Sequence, residues 1–207
     1  MRLSVRDISV AFAGRSVLDR VSFDVADATT TAVVGPSGSG KSTLLRVIAG
    51  LRRPDAGQVF LDDIDTTDTP THQRRVGMVF QDNQLFPHLT VGDNVGFGLR
   101  AQRVDRAARH RRAAELLELV GLHDRFHSSV TELSGGEAKR VALARALAPA
   151  PGVVLFDEPL TGLDAALHDR LLAELAHVLA STRTTAVLVT HDMSEAAALA
   201  SAVVTLR

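Results

Sequence analysis

With 207 residues, 45% of them hydrophobic, the chain is long enough for one substantial domain with room for a subdomain, and too apolar to stay disordered. Lys+Arg 23 against Asp+Glu 24 leave a net charge of -1, which argues against the broad basic footprint of a nucleic-acid binder without excluding a local patch; no nucleic-acid partner is expected. The lack of cysteine excludes a disulfide framework, a thiolate zinc site and a thiol nucleophile, and suits a reducing compartment.

The opening MRLSVRDISV alternates like a strand and lacks the basic-then-apolar layout of a secretory signal. No apolar run approaches the ~18 residues of a membrane helix, so the chain is not expected to cross a bilayer by itself. Strands are predicted at LSVRDISVAF, SVLDRVSFDV and the β-branched TTTAVV, which leads straight into a glycine-rich loop and the helix-like STLLRVIAG; QVFLDD and RVGMVF follow as further strands. After Gln81 the character changes to the loop-like LFPHLTVGDN and then a helix over residues 103–120, with Leu116, Leu117 and Val120 at helical spacing. Strand signals resume with VVLF at 153–156 and AVLVT at 186–190, separated by the helical LHDRLLAELAHVLA, the β-α-β alternation of a parallel sheet. The fold class is therefore α/β. No internal repeat or long linker interrupts the chain, so the helical segment is expected as an insertion rather than a domain in series.

GPSGSGKST sets Gly35, Gly40, Lys41 and Ser42 at the spacing of a Walker A loop, with a strand before it and a helix after it. Glycines let backbone N–H groups curl around phosphate oxygens, the helix N-terminus adds partial positive charge, Lys41 reaches the terminal phosphates and Ser42 offers a Mg²⁺ ligand. The whole run of Gly35, Pro36, Ser37, Gly38, Ser39, Gly40, Lys41, Ser42 and Thr43 is expected to line the nucleotide. A flexible Gly/Ser turn before a helix is the competing explanation. VVLFDEP is a hydrophobic strand ending in two carboxylates, at the edge where parallel sheets meet ligands. Asp157 is placed to hold Mg²⁺ through water and Glu158 to polarise a water attacking the γ-phosphate.

With LSGGE following the helical segment, the sequence resembles the ATP-binding subunits of ABC transporters over nearly its whole length. The motifs occur in the family's order: Phe12 where the family stacks an aromatic on adenine, the Walker A loop, Gln81 as the Q-loop glutamine, the signature at residues 133–137, VVLFDE as Walker B, LTGLD ending at Asp164 as the D-loop, and His191 as the switch histidine. The resemblance implies a P-loop NTPase (RecA-like) core with a small antiparallel β subdomain and an inserted helical subdomain. It gives 1–207 as one ABC ATPase domain, 1–81 and 149–207 as the nucleotide-binding core and 82–148 as the helical part. It implies ATP and Mg²⁺ as cofactors, with Lys41, Gln81, Glu158 and His191 in catalysis and Ser42, Gln81 and Asp157 around the metal. In the family two such subunits pack head to tail, so that Ser134, Gly135, Gly136 and Asp164 of one meet the ATP held by the other.

Ser134 followed three residues later by Glu137 is also a capping box, a helix start that needs no ligand. The family more often has glutamine at this place, and a carboxylate close to a phosphate would repel it, so Glu137 is expected to turn back to the Ser134 amide. Phe12 could equally be an ordinary strand aromatic. His123 and His127 in HDRFH have helical i,i+4 spacing but no third ligand, and read as solvated surface, as does the cationic run 103–112.

The resemblance further implies a homodimer or a related ATPase mate, transmembrane permease subunits docked on the inserted segment and, indirectly, a solute-binding protein. The stretch LFPHLTVGDNVGFGL resembles bacterial importers of ferric iron, sulfate, molybdate, polyamines, sugars or thiamine. The implied location is cytoplasmic, peripheral on the inner face of the cell membrane. The rival readings are a soluble ABC-type ATPase acting on DNA or ribosomes, disfavoured by the charge balance and the short insertion, and a non-hydrolysing interaction module, disfavoured by Glu158 and His191. The sequence stops at Arg207, where many relatives continue into another hairpin and sometimes a regulatory domain; autoregulation by such a domain is not expected of this chain, which is either a short family member or a truncated one.

Overall fold

The structure is a computed structural model that describes residues 1–206. In chain order it begins with β1 (Leu3–Phe12), β2 (Arg15–Val25), β3 (Thr30–Val34), α1 (Lys41–Ile48), β4 (Ala56–Leu61), β5 (Ile64–Asp65) and β6 (Val76–Val79). The helices α2 (Val91–Val95), α3 (Phe97–Ala101), α4 (Arg106–Leu119) and α5 (Gly135–Leu147) follow. The chain then returns to β7 (Val153–Asp157), α6 (Ala165–Thr182), β8 (Thr185–Thr190), α7 (Met193–Leu199) and β9 (Ala202–Thr205). Two compact units result, one from Met1–Met78, Gly152–Glu158 and the segment from Leu179 onward, the other from Val79–Pro151 and Pro159–Val178.

The first unit holds two sheets. One has the order β2-β1-β4-β5 and is antiparallel throughout; the other has the order β6-β7-β8-β3-β9, with β7, β8, β3 and β9 parallel. Every residue of β3, β7 and β8 is buried. That is why these strands read as unbroken β-branched and aliphatic runs rather than alternating ones: a parallel strand covered on both faces has no polar side to show. Along β1 the apolar residues Leu3, Val5, Ile8 and Val10 are buried, and a register shift breaks the ladder between Val10 and Ala11. Leu44, Leu45, Val47 and Ile48 of α1 enter the same core as Val33, Leu155, Val187 and Val189 from the parallel sheet. The helix that follows the glycine loop is thus locked to the strands on either side of the loop's mouth.

In the second unit α5 packs against α2, α3 and α4. Thr90 caps α2 by accepting from the Asp93 N–H, Asp105 caps α4 by accepting from the Ala108 N–H, and Ser134 caps α5. Such caps each stabilise a helix by about 0.5–2 kcal/mol. The predicted helix over 103–120 forms as Arg106–Leu119 and buries Leu116 and Leu117 as its periodicity requires. The stretch read as loop-like, LFPHLTVGDN, is more ordered than expected, since its end joins the helix Val91–Val95, and a further short helix, Phe97–Ala101, follows it. The cause is Asn94, fully buried, whose carboxamide accepts from the Phe86 N–H and donates to the carbonyls of Phe86, Leu89 and Thr90. One side chain therefore replaces the backbone partners that the turn at residues 86–90 gives up.

Candidate functional site

In the parallel sheet β7, β8 and β3 are neighbours, so the loops leaving their carboxyl ends lie side by side. These loops carry Gly35 onward after β3, Glu158 after Asp157 of β7, and His191 after β8. The first unit thereby brings Gly35–Thr43, Asp157, Glu158 and His191 to one sheet edge.

Gly40 ends the loop as the N-cap of α1 at φ 90°, a left-handed conformation that favours glycine. A Cβ there would lie 2.7 Å from the Leu18 side chain and 2.8 Å from the Val17 carbonyl, so no larger residue fits beneath β2. No side chain caps α1 and no acidic residue sits in its first turn. Its free N–H groups and dipole therefore remain available to an anion. Lys41 is 6% exposed, and its Nζ donates to the carbonyls of Gly35 (2.8 Å) and Pro36 (2.9 Å). Among the described residues no carboxylate forms an ion pair with it. The Asp157 carboxylate acts on it only from beyond ion-pair distance, so its N–H groups are held by neutral carbonyls, partners that an anion can replace. Ser39 Oγ, in the same loop, is buried with no hydrogen-bond partner among the described residues.

Ser42 Oγ donates to Asp157 Oδ1 at 2.8 Å, joining the helix start to the end of β7. Burial holds the Asp157 carboxyl above its ordinary range; the Ser42 hydrogen bond opposes this shift and the adjacent Glu158 charge adds to it. A hydroxyl and a buried carboxylate that gains from a nearby cation form an all-oxygen donor set fitted to Mg²⁺. Glu158 sits at φ 48°, a left-handed backbone unusual for a non-glycine residue, and its N–H is held by the Val189 carbonyl at 3.0 Å. Strain of this kind persists only where the surroundings enforce it, and here it sets the direction of the carboxylate. Glu158 Oε2 lies 3.3 Å from His191 Nδ1, with Glu158 side chain 19% exposed and His191 58%.

Phe12, at the end of β1, also belongs to the first unit, whereas Gln81, Ser134, Gly135, Gly136 and Asp164 belong to the second. Gln81 is exposed in the turn after β6. Asp164 caps α6: its Oδ1 accepts from the Leu167 N–H at 3.0 Å and its carbonyl from the His168 N–H at 2.9 Å. Gly136 is buried, and a Cβ on it would approach Leu167 Cδ1 to 3.2 Å, so packing alone already favours glycine there; a Cβ on Gly135 would meet nothing within 4 Å. His123 and His127 do not share a helix face: His123–Arg125 is a 3₁₀ turn, His123 pairs with Asp124 and His127 stands edge-on to Phe126.

Ser134 and Glu137 form the capping box in full. Ser134 Oγ accepts from the Glu137 N–H at 3.2 Å, and Glu137 Oε2 accepts from the Ser134 N–H at 2.8 Å. Arg125 adds a partner, with Nε 3.1 Å and Nη2 3.0 Å from Glu137 Oε1. The Ser134 backbone hydrogen bond, ahead of the Arg125 charge, holds the Glu137 carboxyl below its usual range. The resulting stability is present above the unfolded-state value and is lost as pH falls through the depressed folded one. Glu137→Gln keeps an acceptor for Ser134 but loses the charge. It is expected to cost under about 1 kcal/mol near neutral pH, and the gap in melting temperature between the two proteins should close on acidification. A gap that widened in acid would contradict this assignment, as would ATP-driven self-association tightened by orders of magnitude in Glu137→Gln.

A model of the ABC transporter family matches residues 18–161. The chain belongs to the ABC transporter family. The Fe(3+) ions import ATP-binding protein FbpC of Streptomyces avermitilis is 52% identical over 207 residues, covering 100% of this chain and 60% of that protein. A Chlorella vulgaris protein named "Probable sulfate/thiosulfate import ATP-binding protein CysA" is 45% identical over 206 residues, covering 100% of this chain and 87% of its own length. The chain spans about 60% of the length of the Streptomyces FbpC proteins it matches. The dimeric, post-hydrolysis structure of the ATP-binding cassette MJ0796 with ADP and Pi matches with a TM-score of 0.86 at 32% identity, over 99% of this chain and 94% of that one. The fold is accordingly that of an ABC ATPase, a P-loop core with a parallel sheet, a separate antiparallel sheet and a set of helices.

Two arginines meet these residues without any signal in the sequence. Arg125 reaches Glu137 from the 3₁₀ turn, and Arg52 lies over the ring of Phe12. Neither belongs to a motif, and only tertiary packing brings each to its partner.

Proposed function

We propose that this chain is the ATP-hydrolysing subunit that powers a membrane ABC importer, with two ATP sites completed between two copies or between this chain and a related ATPase. The observation that carries the reading is the sheet edge where a buried Lys41, held by two loop carbonyls, adjoins the Ser42–Asp157 pair and the Glu158–His191 pair.

In this reading the loop from Gly35 to Thr43 and the uncapped start of α1 bind the phosphates, with Lys41 exchanging its two carbonyl partners for phosphate oxygens. Ser42, Asp157 and Gln81 hold Mg²⁺, which when bound neutralises charge developing on the phosphates. Glu158 orients the attacking water and takes up its proton, while His191 steadies the Glu158 carboxylate and donates to the γ-phosphate. Phe12 stacks on the adenine. Ser134, Gly135, Gly136 and Asp164 meet the nucleotide of the partner subunit; residues 82–148 carry the signature part of this second half-site, and 1–81 with 149–207 form the nucleotide-binding core, which also supplies Asp164. Glu137, engaged by Ser134 and Arg125, is turned to its own helix rather than to that phosphate.

Among the described residues no helix is long and apolar enough to cross a membrane. In this reading transport uses permease subunits, with the chain peripheral on the inner face of the cell membrane and a solute-binding protein acting on the far side. FbpC and CysA are named for Fe(3+) and for sulfate or thiosulfate, which favours a small inorganic ion as the solute.

Phosphate release from ATP by the purified chain tests the enzymatic claim. Ser134→Arg separates the two half-sites: it should leave ATP binding to the isolated subunit within about threefold while removing turnover by at least about a hundredfold, because a bulky cation replaces one donor and cap at the helix start. Equal loss of ATP binding in Ser134→Arg and in the Lys41→Ala protein would contradict completion in trans.

A further inference from the structure

Phe12 closes β1 beyond its buried residues and is 47% exposed, an aromatic that the core does not use. The register shift between Val10 and Ala11 turns it away from the inward face that strict alternation would give it. It pairs in register with Arg15 across a turn whose Ala13 and Gly14 adopt φ 47° and 80°. Farther along the same hairpin Val10 pairs with Leu18, and β2 crosses the phosphate loop there, with Leu18 and the Val17 carbonyl against Gly40.

The second support comes from the far end of α1. The Arg52 N–H is bonded to the Arg46 carbonyl at 3.1 Å, which ties Arg52 to the last turn of the helix whose start forms the cradle. From there its guanidinium lies 3.8 Å over the centre of the Phe12 ring, and Nη2 donates to the Ala11 carbonyl at 3.0 Å. Arg52 makes no ion pair among the described residues, and its Nε is buried without a hydrogen-bond partner. A guanidinium left short of partners is a poor choice for stability alone. Its stacking on the ring and its grip on the preceding carbonyl are what the position provides.

We propose that Arg52 is a positioning residue for the nucleotide base, closing one face of Phe12 and holding the ring so that the base stacks on the other. The inference rests on the reading of Phe12 as the adenine platform. Because α1 reaches the phosphate loop at one end and this brace at the other, the two ends of the nucleotide are registered by one rigid element.

The test compares equilibrium affinities for ATP and for inorganic tripolyphosphate in the full chain, in Arg52→Ala, in Arg52→Lys and in Phe12→Ala. The ratio of the two affinities isolates the contribution of the base and ribose from that of the phosphates. Arg52→Ala should weaken ATP about two- to fivefold and leave tripolyphosphate unchanged, a loss on the scale of one exposed cation–π contact. Arg52→Lys should recover part of it, since an ammonium also stacks on an aromatic face. Unchanged or tighter ATP binding in Arg52→Ala would overturn the proposal, because Arg52 would then lie on the face the base needs. Equal weakening of both ligands would overturn it too, by marking a purely structural role for the hairpin. A Phe12→Ala ratio equal to that of the parent chain would instead refute the platform reading itself, and the proposal with it.

Discussion

Glu158→Gln should lower ATP turnover by about 100- to 10,000-fold, the usual cost of losing a positioned general base. The substitution keeps the size and hydrogen-bonding reach of the side chain, and no phosphate-binding group is altered, so ATP affinity should stay within about threefold of the parent. Single-turnover phosphate release and equilibrium binding, measured side by side, make the check. The left-handed backbone at Glu158, held by the Val189 carbonyl, argues that glutamine occupies the same direction, because this geometry is set by the main chain. Turnover that survived at more than about a tenth of the parent rate would move the proton acceptor elsewhere.

Lys41→Ala is expected to have the other large effect, on binding. Hydrogen bonds to a charged group contribute about 1.5–3 kcal/mol each, so removing an ammonium that meets phosphate oxygens should weaken ATP about a hundredfold or more. In the nucleotide-free protein the same change deletes two donors to the carbonyls of Gly35 and Pro36. A modest loss of melting temperature is therefore expected as well, and titrations belong well below that transition. Isothermal titration with ATP decides the matter. An affinity within about threefold of the parent would contradict the assignment of this loop as the phosphate cradle.

The sequence made the parallel sheet and its ligand edge legible for a physical reason. Strands buried on both faces show no alternation and are built from β-branched and aliphatic residues, so TTTAVV, VVLF and AVLVT announce themselves, and the glycine, aspartate or histidine after each one marks the carboxyl end. Ser42, Asp157, Glu158 and His191 were readable because each sits at a fixed offset from such a strand. The turn at residues 86–90 was not, since its order depends on Asn94, a residue whose type suggests a loop until its burial and four hydrogen bonds are seen. Arg52 and Arg125 were invisible for a related reason: long side chains carry their charge far from their own backbone, and what they meet is decided by packing between distant segments. The Glu137 cap, by contrast, is a local three-residue device, and there the sequence was sufficient.

Completion of the site in trans is the claim on which the rest of the functional account turns, and sedimentation of the Glu158→Gln protein with and without Mg²⁺-free ATP tests it most directly. This variant should hold its nucleotide unhydrolysed while keeping the Gly35–Thr43 loop and the Ser134 helix start intact. ATP is predicted to shift it from monomer to dimer, with the shift abolished by Ser134→Arg. A Glu158→Gln protein that demonstrably binds ATP and still sediments as a monomer would contradict two-copy completion of the site.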